Sequence, residues 1–247
     1  MSALEEVRRE VRAARRVLVL SGAGMSAESG VPTFRGAQTG LWQRLDPRDL
    51  ATPDAWEHDR ERVWAWYLWR AALVRAVEPN AGHHALAALA EAKPVDVVTQ
   101  NVDDLHERAG SRVTAHLHGS LFSYRCDTCG RPAPPPDLPA APVERLAPPL
   151  CGCGEGWVRP GVVWFEEALP LDEWRAAEDA VLTLQRGDVV LVVGTSGVVY
   201  PAAGLPAMAR STGALVVEVN PQPTDVTDVC HLAVRASAAE ALPALVD

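Results

Sequence analysis

Val17-Leu18-Val19-Leu20-Ser21-Gly22-Ala23-Gly24-Met25-Ser26-Ala27-Glu28-Ser29-Gly30 reads as a buried strand running into a glycine-rich turn. Its apolar, β-branched start suits a strand covered on both faces. Glycines directly after a strand let the backbone approach a pyrophosphate. A helix beginning there would add the positive end of its dipole. Alone, Gly22-x-Gly24-x-x-Ala27 fits a plain strand-to-helix turn as well as a dinucleotide loop. No acidic residue ends a second strand roughly 20 residues later, so an ordinary dehydrogenase fits poorly.

Outward from this stretch, three more short apolar runs read as strands: Val95–Val98, Val189–Val193 and Leu215–Val219. Helical patterns lie between them at Ala81–Ala92, Leu171–Gln185 and Pro201–Thr212. This alternation predicts an α/β fold, a Rossmann-like doubly wound parallel sheet whose ligands sit at the carboxyl ends of the strands. Two stretches break it. Residues 36–77, rich in Trp and charge, read as a loop followed by a helical insert, and 124–160 as a small module containing Pro132-Ala133-Pro134-Pro135-Pro136. A polyproline run cannot pair as a central strand. The expected division is therefore 1–35, 78–120 and 161–247 for the sheet domain, 36–77 for the insert and 121–160 for the module.

The 247 residues carry 23 Lys plus Arg against 32 Asp plus Glu, a formal charge of −9. Such a chain gains little counterion release on a phosphate backbone, which argues against direct nucleic-acid binding. Basic protein segments are easier to attract. Charged residues recur from Glu5 to Arg16, leaving no apolar signal core, and no apolar run approaches the ~20 residues that span a bilayer. The expected location is cytoplasmic, with no membrane partner.

Four of the five cysteines form two close pairs, Cys126-x-x-Cys129 and Cys151-x-Cys153. In a reducing compartment this favours a metal over disulfides. Four thiolates can close a tetrahedral zinc site and pin a module too small for its own core. With four protein ligands that zinc is structural, one per chain. Cys230 stands apart and reads as a small buried apolar residue.

The continuation of the opening stretch identifies a family. Gly22-Ala23-Gly24-Met25-Ser26-Ala27-Glu28-Ser29-Gly30-Val31-Pro32-Thr33-Phe34-Arg35 resembles the NAD-binding signature of the sirtuins, and Gly40-Leu41-Trp42 resembles the end of that loop. The resemblance assigns Gly22, Ala23, Gly24, Ser26, Ala27, Gly30, Phe34, Arg35 and Trp42 to the cofactor. Thr99-Gln100-Asn101-Val102-Asp103 resembles the family's next motif. It gives Gln100 and Asn101 to the nicotinamide-side ribose and Asp103 to the carboxamide. Asp103 could equally cap a helix over Leu105–Ala109. His116-Leu117-His118-Gly119 resembles the His-Gly motif and makes His118, with Asn101, catalytic. His106 and His116 hold no motif position and read as structural or exposed. An imidazole suits a general base because its unperturbed pKa is near ~6.5.

Arg159-Pro160-Gly161-Val162-Val163-Trp164-Phe165-Glu166-Glu167 resembles the segment that pairs with an extended substrate, giving Val162, Val163 and Phe165 to an acyl-lysine peptide. The family has Gly where Glu166 stands, which leaves the backbone shape there open. Gly194-Thr195-Ser196, Asn220 and Ala238 match adenosine-side positions. Sirtuins also carry zinc at this place in the chain. The resemblance runs from Val17 to Leu245. It implies an NAD-dependent protein-lysine deacylase that consumes NAD and yields nicotinamide, O-acyl-ADP-ribose and free lysine. The alternatives are a mono-ADP-ribosyltransferase or NAD glycohydrolase using the same pocket, and a non-enzymatic NAD or ADP-ribose sensor.

Tyr67 and Arg70 stand at i and i+3 in Ala65-Trp66-Tyr67-Leu68-Trp69-Arg70-Ala71, so a helix puts both on one face. A phenol and a guanidinium together make a carboxylate clamp. The pair resembles the Tyr-x-x-Arg of sirtuins that remove succinyl and malonyl groups. The competing reading is an amphipathic helix with Trp64, Trp66 and Trp69 packed inward and Arg70 solvated.

Overall fold

The computed structural model describes residues 2–32 and 49–246. Phe34, Arg35 and Trp42 lie outside them. The described residues divide into two units: 2–30, 78–117 and 171–246 form the first, and 31–32, 49–77 and 118–170 the second. His118–Pro170, including the peptide-assigned Val162, Val163 and Phe165, thus falls with the smaller unit.

The first unit holds six parallel strands: β1 (Val17–Ser21), β2 (Val95–Thr99), β3 (Val113–His116), β6 (Val189–Val193), β7 (Leu215–Val219) and β8 (Leu232–Val234). Their order, β3-β2-β1-β6-β7-β8, is the doubly wound arrangement that reverses direction between β1 and β6. β1 and β6 are buried at every position, as expected for central parallel strands. The two edge strands are short and only partly buried, and neither was expected from the sequence. Helices α1 (Ala3–Ala13), α3 (Ala81–Ala92), α4 (Leu105–Arg108), α5 (Leu171–Leu182), α6 (Leu205–Ser211) and α7 (Ala238–Val246) complete the unit. At the end of α1, Lys93 Nζ donates to the carbonyls of Val11, Arg12 and Ala14 at 2.6, 2.8 and 3.1 Å. It satisfies acceptors that a helix C-terminus leaves bare.

Among the described residues no α-helix directly follows β1, contrary to expectation. The chain makes two single 3₁₀ turns, Ala23–Met25 and Ala27–Ser29. The cause is a backbone crossing at the reversal point. Gly24 N–H donates to Gly194 C=O at 2.8 Å, and a Cβ on Gly24 would lie 2.7 Å from Gly194 Cα. Cys230 is half-buried, not fully so.

The second unit is built on α2 (Pro53–Ala76) and the antiparallel pair β4 (Gly119–Cys126) and β5 (Val158–Val162). Thr52 caps α2 and Pro53 opens it, but Asp59 breaks the helical dihedrals (φ −147°, ψ 63°). Arg145 pairs with Asp59 at 2.7 Å, and Leu146 N–H takes the Glu61 carbonyl at 3.1 Å. From Val63 to Trp69 every residue of α2 is buried, so this stretch is covered all round instead of amphipathic. Tyr124 and Trp64 meet edge-on at 5.7 Å, and Trp56 lies 5.6 Å from Trp164. No helix among the described residues is long and apolar enough to cross a membrane.

Since the atoms facing Gly24 are backbone, Gly24→Ala must displace one loop or the other. It should lower stability by about 1–3 kcal/mol in urea unfolding. A variant as stable as the parent would mean the crossing has slack.

Candidate functional site

In the first unit, most of the cofactor-assigned residues converge at the carboxyl ends of β1, β2, β6 and β7. Gln100 Nε2 donates to Thr195 Oγ1 at 3.1 Å, and Asn220 Nδ2 donates to the Thr195 carbonyl at 3.0 Å. Asn101 Nδ2 donates to Ser26 Oγ at 3.2 Å. Two hydrogen-bonded groups therefore form from neighbouring residues after β2: Gln100 joins Thr195 after β6 and Asn220 after β7, and Asn101 joins Ser26 after β1. Gly22 is buried, Gly24 and Ser196 are half-buried, and Ala23, Ala27 and Gly30 are exposed along the loop. Ala238 is packed where α7 meets α3, its carbonyl against Gly82.

Asp103 is buried among these groups, 5 % exposed. Burial raises its pKa, opposed by hydrogen bonds from the Leu105 N–H and the Ser26 side chain. Its Oδ1 accepts from Leu105 N at 3.2 Å at the start of α4, but the N-cap residue of that helix is Asp104, so Asp103 is not its cap. Only part of its hydrogen-bonding capacity is used that way.

Behind this layer lies a polar chain that the motifs did not reveal. Ser21 Oγ donates to Thr99 Oγ1 at 2.8 Å and meets His106 Nε2 at 3.0 Å. Thr99 Oγ1 also accepts from Asn101 N at 3.0 Å. The His106 ring packs on His83 with centroids 4.9 Å apart. Burial pushes His83 down to about 4 and His106 to about 3, so both rings are neutral at cellular pH. His116 behaves oppositely. Burial works against its charge, but Glu107 at 2.6 Å outweighs that and its pKa is raised.

In the second unit, His118 is half-buried at the start of the β4–β5 pair, its carbonyl accepting from Val163 N at 2.9 Å. Gly119 explains the His-Gly pairing physically. It sits at φ 73°, and a Cβ there would lie 2.1 Å from the Gly161 carbonyl. Val162 is buried, Val163 half-buried and Phe165 39 % exposed. Glu166 adopts φ 73° despite its side chain, so the backbone keeps the left-handed shape that glycine would favour. Tyr67 is buried at 4.7 Å from Trp66, and Arg70 stacks on the other ring of that pair, Cζ 4.9 Å from the Trp66 centroid. Burial drives the Tyr67 phenol pKa up, only partly offset by the Arg70 charge, so it stays a neutral donor.

The sulfurs of Cys126, Cys129, Cys151 and Cys153 lie within 4.8 Å of one another. Cys126–Cys153 and Cys129–Cys151 are each 3.8 Å apart. Zinc–sulfur bonds of about 2.3 Å in a tetrahedron demand sulfur separations of about 3.8 Å, so the donor set fits zinc. Arg131 Nε, 3.3 Å from Cys129 Sγ, holds that thiol down to about 6 and favours the ligating thiolate.

A family model described as the Sir2 family matches residues 22–201. An NAD-dependent protein deacylase of Mycobacterium tuberculosis is 53 % identical over 234 residues, covering 94 % of this chain and 97 % of its own. The chain belongs to the Sir2 family. A crystal structure of a Sir2 homolog–NAD complex superposes with a TM-score of 0.87 at 41 % identity, covering 98 % of this chain and 92 % of that one. A Sir2 structure with a deacetylated p53 peptide and 3′-O-acetyl ADP ribose superposes with a TM-score of 0.80 at 29 % identity, over 98 % and 96 % of the two chains. This Sir2 protein thus has the family's sheet and a cysteine cluster compatible with a structural zinc.

Two measurements follow. Chelating the zinc, or Cys151→Ser, should lower the melting temperature, with one zinc per chain by elemental analysis. Stable protein without stoichiometric metal would remove the assignment. The second concerns acid. Because the buried pKa values of His83 and His106 lie below the ordinary ~6.5, the unfolded chain takes up protons that the fold refuses. The contribution of these two rings is fully present above about pH 7 and is lost from about pH 6.5 toward about pH 4, by on the order of 1 kcal/mol per pH unit for each ring. His106→Gln should flatten the slope in urea melts across that window. Identical slopes would count against it.

Proposed function

We propose that this Sir2 protein removes succinyl and malonyl groups, in preference to acetyl, from protein lysines. Its general activity is NAD-dependent protein deacylation. NAD, when bound, supplies the ribose carbon at which nicotinamide leaves and the ADP-ribose that accepts the acyl group.

The chain's residues divide that work. The glycine loop, with Gly194–Ser196 and Asn220, holds the dinucleotide, and Asp103 accepts from the carboxamide. Gln100 and Asn101 orient the ribose. His118 takes a proton from a ribose hydroxyl as the acyl group moves. Val162, Val163 and Phe165 meet the extended peptide around the modified lysine. Much of the rate enhancement is orientation and exclusion of water.

The observation that carries the acidic preference is the Tyr67–Arg70 pair. Both sit one turn apart on α2, the phenol neutral and buried, the guanidinium steadied by Trp66. A neutral donor beside a fixed cation complements a carboxylate, which an acetyl group lacks. Each hydrogen bond to such a charge contributes ~1.5–3 kcal/mol, enough for a tenfold or greater preference.

The test compares kcat/KM for succinyl-, malonyl- and acetyl-lysine peptides. The acidic acyl groups should win, and Arg70→Met should depress desuccinylation at least about tenfold more than deacetylation. Equal losses, or wild-type preference for acetyl, would make the pair structural. In the same assay His118→Ala should cost ~100 to 10,000-fold in turnover with the fold intact. Free ADP-ribose in place of acyl-ADP-ribose would point to glycohydrolase chemistry.

A further inference from the structure

The peptide-assigned segment of the second unit carries a feature that strand pairing does not require. Arg159, only 6 % exposed, forks onto the Glu167 carboxylate, Nη1 to Oε1 at 2.6 Å and Nη2 to Oε2 at 2.9 Å. Arg159 Nη2 also donates to the Val162 carbonyl at 3.2 Å. Its guanidinium lies 3.3 Å from the centroid of the Trp164 ring. Glu167 in turn accepts from Trp164 N–H at 2.8 Å through Oε2, while its own N–H donates to the Trp164 carbonyl at 3.1 Å. That last bond closes a four-residue turn whose third residue is Glu166 at φ 73°, the pattern of a type II turn. Burial would push the Glu167 carboxyl up, but Arg159 and the Trp164 N–H outweigh it and hold it below the usual range.

A buried ion pair is weak ground for stability, since apolar residues of similar volume often serve as well. What this pair does that apolar residues could not is hold two backbone groups: the Val162 carbonyl and the Trp164 N–H. These belong to alternate residues of the segment. Val162 is itself assigned to the peptide; Val163 and Phe165, the other two assigned residues, alternate with these groups, and their N–H groups are tied to the carbonyls of His118 and Ala51 at 2.9 Å each. A platform that receives an extended peptide through its main chain must be fixed in shape before the peptide arrives, because ordering it on binding would subtract from affinity.

We infer that Arg159 and Glu167 form a strut that presets residues 162–166 to receive an extended peptide, and that they are positioning residues for the chain flanking the acyl-lysine. They act on neither NAD nor the acyl group. The inference rests on the reading that this segment takes the peptide, and it does not depend on which acyl group is preferred.

The experiment uses the full-length zinc-loaded protein and the acyl group that the wild type turns over fastest. Two substrates are compared: an acyl-lysine peptide with several residues on each side, and the same acyl-lysine as a blocked single amino acid. Glu167→Gln should raise the peptide KM about tenfold and leave kcat and the KM for NAD within about twofold. The single amino acid should be processed as well as before, so the advantage of the peptide shrinks. Arg159→Lys, which keeps the charge but loses the fork, should fall between the two. If Glu167→Gln melts early, the double variant Arg159→Met, Glu167→Gln removes both charges together and carries the same expectation. Equal losses on both substrates, or a peptide advantage that survives in the variants, overturns the strut. A wild type that shows no peptide advantage also overturns it, by removing the platform beneath it.

Discussion

The backbone crossing of Gly24 and Gly194 is the constraint on which the first unit depends. The sheet reverses its winding between β1 and β6, and the loops leaving those two strands must pass in contact. They manage it because neither carries a side chain there, and the 2.8 Å hydrogen bond between them fixes their spacing. The 3₁₀ turns after β1, the placement of Ser26 against Asn101 and the approach of Gln100 to Thr195 all follow from that contact. A regular helix starting at Ala23 would have aimed its amides along one axis. The tighter turns leave the loop wrapped over the strand ends.

The layer beneath the site is polar but carries no charge. Ser21, Thr99 and His106 hydrogen-bond among themselves, with His83 packed against the His106 ring. Neutral groups can be buried this way at modest cost when their bonds are mutual, and such networks specify one arrangement. Here the arrangement includes the backbone of Asn101, which is anchored to Thr99. Acid works against that layer, because each ring that gains a proton must be desolvated as an ion.

The second unit meets a different problem. Among the described residues it has one long helix and a two-stranded ribbon, little regular structure from which to build a large core. Tryptophans supply area where layers are missing, with Trp56, Trp64, Trp66, Trp69 and Trp164 all buried. The cysteine cluster pins the far end. Asp127, between Cys126 and Cys129, accepts from Trp56 Nε1 at 2.9 Å and so ties that end to α2. The kink at Asp59 lets the loop around Arg145 dock on the helix.

The central strands, the helices α3 and α5, the cysteine set and the family motifs were all legible in the chain. Each depends on residues close in sequence: apolar runs for Val17–Leu20 and Val189–Val193, and ligand spacing for Cys126 to Cys153. Glycine at 22 and 24 announced a close approach without saying to what. Tertiary structure alone decided the partner, Gly194, some 170 residues away. It also decided that the chain after β1 turns in 3₁₀ fashion, that Val113–His116 and Leu232–Val234 pair as edge strands, and that α2 is buried all round between Val63 and Trp69. Edge strands take their pairing from a neighbour's exposed ladder, so their own residues need little pattern. The His106–Ser21–Thr99 chain and the Arg159–Glu167 pair were invisible for the same reason. A hydrogen bond between side chains is a property of where two elements are brought, and only the packed sheet and ribbon bring these together.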